Sequence, residues 1–265
     1  MALNLSSPAA RSAGALVLIA VVSGALAGCE PNGPGSKQTF NDTEKVKVTE
    51  VVIDGGDGTV NVHTSAINDT RIKRVVQSRG SDVGNNYRLD GTVLHVGTTC
   101  GFQCDVSYDV NAPVGVKVRG ELSSGDVSLT DVAGADVKVT SGSVTVTRAT
   151  GDITAAVTSG DLTVTDVKGT TRLVATSGDV KGRTLRGPVN VEATSGNVDL
   201  ELATVTSVTT RVNSGDVKLG VPAGPYRLDV STKSGDQNVG ITATSGAASL
   251  LDVNADSGNV TIRPI

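Results

Sequence analysis

"TSGDV", residues 176–180, has close copies on both sides of itself, and the spacing of those copies decides the fold. Serine-glycine pairs begin at Ser124, Ser141, Ser159, Ser177, Ser195, Ser214, Ser234 and Ser257, in steps of 17, 18, 18, 18, 19, 20 and 23 residues. A period near 18 means one structural unit stacked on the next. Three residues after the serine stand Val127, Val144, Leu162, Val180, Val198 and Val217, and five after it Leu129, Val146, Val164, Gly182, Leu200 and Leu219. Apolar residues two apart share one face of a strand. Eight after the serine come Val132, Ala149, Val167 and Leu185, and ten after it Gly134, Gly151, Gly169 and Gly187, each leading into a second alternating segment such as "DITAAV" or "PVNVEA". The unit is turn, strand, turn, strand.

Two strands per coil with no helical stretch between them predict an all-β chain folded as a parallel β-solenoid, each strand pairing with its equivalent one coil away. At the inter-strand spacing of ~4.8 Å the eight stations make a rod of roughly 35–40 Å. A triangular left-handed helix also uses 18 residues per coil but would mark an apolar position every six; here the marks fall in nines. Outward positions carry Ser128, Thr145, Thr163, Lys181, Asp199 and Lys218, which keeps that face wet. The regular coils run over 120–265. Residues 46–119 are a less regular β region, read as first coils or cap, in which "IDGGDGTVNV" is a degenerate copy of the turn and strand. Arg71, Lys73, Arg74 and Arg79 in this region read as a solvated strand face.

Composition agrees. Only 2% of the 265 residues are aromatic and none is Trp, so the core must come from Val, Leu, Ile and Thr, which favour strands. The net charge is -4 and no basic run interleaves with aromatics, so the footprint of a nucleic-acid binder is missing.

The amino end carries the most specific local signal. Arg11 precedes an uncharged, mostly apolar run from Ala13 to Gly28 that is short for a membrane span and suits a secretory signal. It ends in Leu26-Ala27-Gly28-Cys29, which resembles the lipobox of bacterial lipoproteins, where the cysteine receives diacylglycerol and becomes the mature N-terminus. The rival is an ordinary signal or a membrane anchor that contains a cysteine. Residues 1–28 are therefore expected to be a lipoprotein signal peptide, Cys29 the lipidation site, and 29–45, rich in Pro, Gly and polar residues, a flexible tether. Cys100 and Cys104 remain, and in an exported chain such a pair reads as a structural disulfide closing a tight loop. A redox pair or half a zinc site are the alternatives, weakened by the three-residue spacing and by His63 and His95 standing away from ligand positions.

The repeated corners could instead be chemistry. They include Ser124-Gly125-Asp126, Ser159-Gly160-Asp161, Ser177-Gly178-Asp179, Ser195-Gly196-Asn197 and Ser214-Gly215-Asp216. A serine nucleophile needs a base within reach, yet residues 100–265 hold no histidine and no nucleophile elbow, and a nucleophile is needed once rather than eight times. Lys233 before Ser234 leaves a Ser-Lys arrangement open in principle. A column of carboxylates could serve a polysaccharide-active enzyme, but the regular coils offer no rings for sugar stacking. Calcium-binding β-rolls share the 18-residue coil; here Ser143 and Asn197 break the acidic column and each turn has too few oxygens for six to eight ligands. The corners read as structural punctuation: glycine gives a sharp corner its backbone freedom, and Ser, Asp or Asn bonds backbone groups that the strands leave unpaired. No cofactor and no catalytic residue is expected, with calcium as the alternative ligand.

The lipobox, "VVIDGGDGTVNV", "DVSYDVNAPVGVKVRGELSSGDVSL", the repeated "TSGDV" and "VPAGPYRLDVSTKSGD" together resemble the DUF4097 family of bacterial β-strand-repeat proteins, over about residue 46 to the end. The resemblance implies a β-solenoid exposed on the cell envelope, adhesin-like, with no catalytic residues to carry over. The expected function is a lipid-anchored, non-catalytic envelope protein, on the outer face of the cytoplasmic membrane, that presents its outer faces to an envelope or extracellular protein or glycan. The alternative is a regulatory or sensory lipoprotein working with a membrane complex under envelope stress.

Overall fold

A computed structural model describes residues 36–79, 84–101 and 103–265. The N-terminal part holds β1 (Ser36–Glu44), β2 (Glu50–Asp54), β3 (Val60–Ser65), β4 (Thr70–Ser78), β5 (Tyr87–Asp90), β6 (Val93–Val96) and β7 (Cys104–Pro113). Regular coils follow as strand pairs: β8 (Lys117–Ser124) and β9 (Val127–Thr130), β10 (Gly134–Ser141) and β11 (Val144–Ala149), β12 (Ile153–Ser159) and β13 (Leu162–Val167), β14 (Thr171–Ser177) and β15 (Val180–Leu185). The remaining pairs are β16 (Val189–Ser195) and β17 (Val198–Leu202), β18 (Val208–Ser214) and β19 (Val217–Val221), β20 (Tyr226–Ser234) and β21 (Gln237–Val239), and β22 (Ser249–Ser257) and β23 (Val260–Pro264).

The first strand of each coil joins one wall and the second joins the other. One wall has the order β20-β22-β18-β16-β14-β12-β10-β8-β2-β6-β5; the other runs β1-β4-β7-β3-β9-β11-β13-β15-β17-β19-β23-β21. Among the described strands pairing is parallel along the rod, and antiparallel where β1 meets β4, β4 meets β7 and β5 meets β6. The fold is the two-walled parallel solenoid. Twelve strands at ~4.8 Å give a wall of roughly 50 Å.

The core is a set of ladders. Val60, Val127, Val144, Leu162, Val180, Val198, Val217 and Val260 form one buried file, and Val62, Leu129, Val146, Val164, Leu200, Leu219 and Ile262 the next. Each such side chain contributes about 1.5–3 kcal/mol when fully buried. Gly182 interrupts the second file, and its missing side chain is filled by Leu185 and Leu200, whose methyls would lie 2.8 Å from a Cβ placed there.

Coil order departs from sequence order at the far end. β18 pairs with β22 rather than β20, and β20 pairs with β22 from the other side, so the final coil is inserted between its two predecessors. The reason is the inward register. Gln237 stands opposite Val260, at a station where every other regular coil carries Val or Leu. Burying that amide without a partner would cost about 1–3 kcal/mol, whereas at the end of the rod it reaches water. The coil with Val260 and Ile262 takes the inner place. The other end shows the same threading, with β2–β3 lying between β6–β7 and β8–β9.

Two boundaries also move. Residues 36–44, expected in the tether, form β1 and pair along their length with β4. Their inward side chains are mostly polar, so hydropathy gives no strand signal; they are held by side-chain partners on β4 and β5 instead. Residues 30–35 of the expected tether, Cys29 and the signal segment lie outside the described residues. No break falls at 119–120 either, because β8 runs through it and pairs with β2 on one side and β10 on the other.

Candidate functional site

The repeated corner is built by backbone contact. Gly178 has φ +136°, and a Cβ there would lie 2.0 Å from the carbonyl oxygen of Gly160 in the neighbouring coil. The same contact links Gly58, Gly125, Gly142, Gly160, Gly178, Gly196, Gly215, Gly258 and Gly235 in one file. Only a hydrogen fits between coils at this corner.

The residue after each glycine forms a second file. Asp126 Oδ1 accepts the Ser143 N–H at 2.8 Å, Ser143 Oγ the Asp161 N–H at 3.4 Å, Asp161 Oδ1 the Asp179 N–H at 2.8 Å, and Asp179 Oδ1 the Asn197 N–H at 2.9 Å. Asn197 Oδ1 then accepts from Asp216 at 3.0 Å, Asp216 Oδ1 from Asn259 at 2.8 Å, and Asn259 Oδ1 from Asp236 at 2.9 Å. The corner is a side-chain-to-backbone ladder that climbs the rod and follows the spatial coil order. Asp, Asn and Ser share the station because each offers one acceptor oxygen. Asp126, Asp161, Asp179 and Asp216 each turn one carboxylate oxygen to the next coil's N–H. Ser124, Ser159, Ser177, Ser195 and Ser214 are exposed beside it. Among the described residues, no group of three or more His, Cys, Asp or Glu is placed to hold a metal ion.

The opposite corner was not legible as a site. Asp131, Arg148, Asp166 and Thr184 occupy equivalent stations there, with φ of +60°, +57°, +55° and +58°. Arg148 donates to both carboxylate oxygens of Asp131, at 2.7 and 2.8 Å, and these bonds hold the Asp131 carboxyl below its usual value. Arg186 continues the ion ladder to Asp166 at 3.2 Å. A depression of about 390 Å³ lies along this corner, lined in part by Thr64, Val114, Asp131, Arg148 and Asp166. Its polar groups are largely spent on one another, since Thr64 Oγ1 also donates to the Asp131 carbonyl at 2.6 Å.

The N-terminal end carries a buried polar cluster. The Arg74 guanidinium lies 4.5 Å from the Phe40 ring centre and 5.5 Å from that of Tyr87, with Nε 3.3 Å from Asp42 Oδ2. Arg74, expected on a solvated face, is 7% exposed, because β1 and β5 fold over it. The Tyr87 hydroxyl donates to Glu44 at 2.9 Å, and burial together with that bond raises the phenol above its usual value, so it stays a donor. Cys100 and Cys104 form a disulfide beside β7. His95 meets Asp54 at 3.1 Å on one wall and His63 meets Asp109 at 3.3 Å on the other, so the two histidines do not converge.

The sequence profile of the family described as Toastrack DUF4097 matches residues 115–263. Among solved structures, a protein of Bacteroides fragilis described as a "putative adhesin" is similar, with a TM-score of 0.53, at 14% identity over 87% of this chain and 98% of that one. A second protein so described, from Parabacteroides merdae, matches at 13% identity and a TM-score of 0.38 over 86% of this chain and 96% of its own. No curated protein matches the chain.

Proposed function

The chain belongs to the Toastrack DUF4097 family, and we propose that it is a lipid-anchored, non-catalytic envelope protein whose rod presents its outer faces and free tip for interaction or adhesion. The observation that carries this reading is the polarity of the rod. β1, which follows the proposed anchor in sequence, lies at one end of its wall, and β21 lies at the other. An anchor at Cys29 would hold the first end near the membrane and point the second away from it. The repeated Ser-Gly-Asp corners are structural in that reading, since one oxygen of each bonded carboxylate accepts from the backbone of the next coil. What remains for a partner is the outward side chains between the corners, Thr, Ser, Lys, Asp and Arg on flat parallel walls, which suit a polar protein or glycan surface.

Fractionation of cells tests the anchor: Cys29→Ser should lose lipid labelling and leave the membrane fraction, and a variant that stays bound with normal labelling would end the lipoprotein reading. Crosslinking of the anchored wild type in intact cells, compared with a deletion strain, tests the interaction. The expected result is an envelope or extracellular species captured only by the wild type; identical captures would contradict it.

A further inference from the structure

The two ends of the rod are finished differently. At the N-terminal end β1, β4 and β5 turn antiparallel and close over Arg74, Phe40 and Tyr87. At the far end β20 and β21 are the last strands of their walls. Leu228, Val230, Val239 and Ile241 pack on the core there but stay only partly buried. The segment after β21 covers the start of β20, where the Thr244 N–H donates to the Tyr226 carbonyl at 2.7 Å. No strand pairs with the outer edge of β20 among the described residues. Strand edges of this kind are blunted by proline, a bulge, an inward charge, a covering loop or charged side chains; past its covered start β20 has no proline and no inward charge, and only the outward Arg227, Asp229 and Lys233 guard it.

The charges on that edge are specific. Arg227, Asp229, Ser231 and Lys233 point outward and Leu228, Val230 and Thr232 inward. Asp229 stands opposite Asp252, a like-charged pair. Asp252 is already bound by Arg211 at 2.9 Å, and Asp229, within the field of the same arginine, has no ion pair within 4 Å among the described residues. Lys233 reaches Asp256 at 2.8 Å in an exposed contact that a long side chain can share or leave. Asp236, last in the corner ladder, accepts from no further coil.

We infer that this end is a self-association edge. A second copy of the chain pairs with β20 antiparallel about a two-fold axis through Ser231, and both walls continue across the joint. In this register Asp229 faces the second copy's Lys233, and Lys233 faces the second copy's Asp229, so each unpaired carboxylate gains a cation. Val230 faces Thr232, Leu228 faces Ser234, and the partly buried apolar side chains of both ends close over one another. An axis one residue earlier, at Val230, would set Arg227 against Lys233 and is disfavoured. An axis at Leu228 would pair Arg227 with Asp229 but would use the carbonyl of Tyr226, which is already taken. Of these three registers the Ser231 axis makes the strand complementary to itself, as an isologous interface requires. The N-terminal ends of the pair then lie at opposite poles, about 100 Å apart at the strand spacing.

The test uses the full chain in mild detergent, with the mass of the protein component measured by sedimentation. Wild type should show two chains. Asp229→Lys and Lys233→Asp, each on an exposed side chain, should each show one chain with unchanged circular dichroism. Mixing these two variants in equal amounts should restore the two-chain mass, because each supplies the charges that the other needs, and the double swap D229K/K233D should also be two-chain. A wild type that remains single would overturn the proposal. So would a dimer that ignores all the charge changes, or single variants that stay separate on mixing.

Discussion

Replacing Gly178 by alanine puts the stacking of the coils under direct strain. The glycine has φ +136°, a region that residues with a side chain avoid, and the added methyl would sit 2.0 Å from the Gly160 carbonyl oxygen and 2.6 Å from its carbon. The backbone strain costs about 1–3 kcal/mol. Relief of the contact requires two coils to separate at a corner where the Gly160 N–H bonds Ser177 at 2.9 Å and the Gly178 N–H bonds Ser195 at 3.0 Å, and overpacking of this kind costs about 1–3 kcal/mol more. The sum, about 2–6 kcal/mol, lowers the melting temperature by roughly 5–20 °C for a chain of this size. Thermal unfolding followed by circular dichroism measures it, with Ser177→Ala as the control, since that serine is exposed and should change stability by no more than about 0.5 kcal/mol. A Gly178→Ala protein that melts with the wild type would refute the idea that the corner is closed to side chains.

Other expectations follow from single contacts. Asp179→Ala removes the acceptor of the Asn197 N–H and should cost about 1 kcal/mol in urea unfolding, whereas Asp179→Asn keeps an acceptor and should be nearly neutral. Thr210 is 0% exposed and its hydroxyl has no partner among the described residues, so Thr210→Val should stabilise the protein by about 1 kcal/mol in the same assay. Arg74→Ala leaves Asp42 without its cation and Phe40 without its cover, and limited proteolysis should then cut within 36–44 faster than elsewhere. The Asp131 carboxyl, depressed by Arg148, contributes stability that is fully present above its ordinary value of 3.8 and is lost as pH falls through the lower native value. NMR titration should place Asp131 below that ordinary value in the wild type and return it there in Arg148→Ala.

The regular coils were legible because their chemistry is local. A serine-glycine corner followed by two apolar residues two apart states both the turn and the inward face, and Ser177, Gly178, Asp179 and Val180 take those roles. The coil order was legible too, but only in a side chain: three residues after Ser234 stands Gln237, and three after Ser257 stands Val260, which marks the second coil as the inner one. Spacing alone puts each coil on its predecessor and hides this. β1 was hidden for a different reason, since Gln38, Asp42 and Glu44 face the rod, and Asp42 and Glu44 are held there by partners more than 25 residues away in sequence. The opposite corner escaped because Asp131, Arg148 and Thr184 adopt positive φ without glycine, and nothing in their residue types requires it.

The placement of β20–β21 at the tip underlies both the polarity of the rod and its self-association edge, and paired cysteines test it directly. Lys218 and Thr261 are register partners on adjacent strands, and Asn238 is the partner of Thr261 on the far side. Adjacent strands lie ~4.8 Å apart and alternate ones twice that, and a disulfide needs Cα atoms within about 7 Å. The inserted order predicts that K218C/T261C crosslinks on mild oxidation while K218C/N238C does not; rapid crosslinking of the second pair and none of the first would show the coils stacked in sequence order and contradict the account.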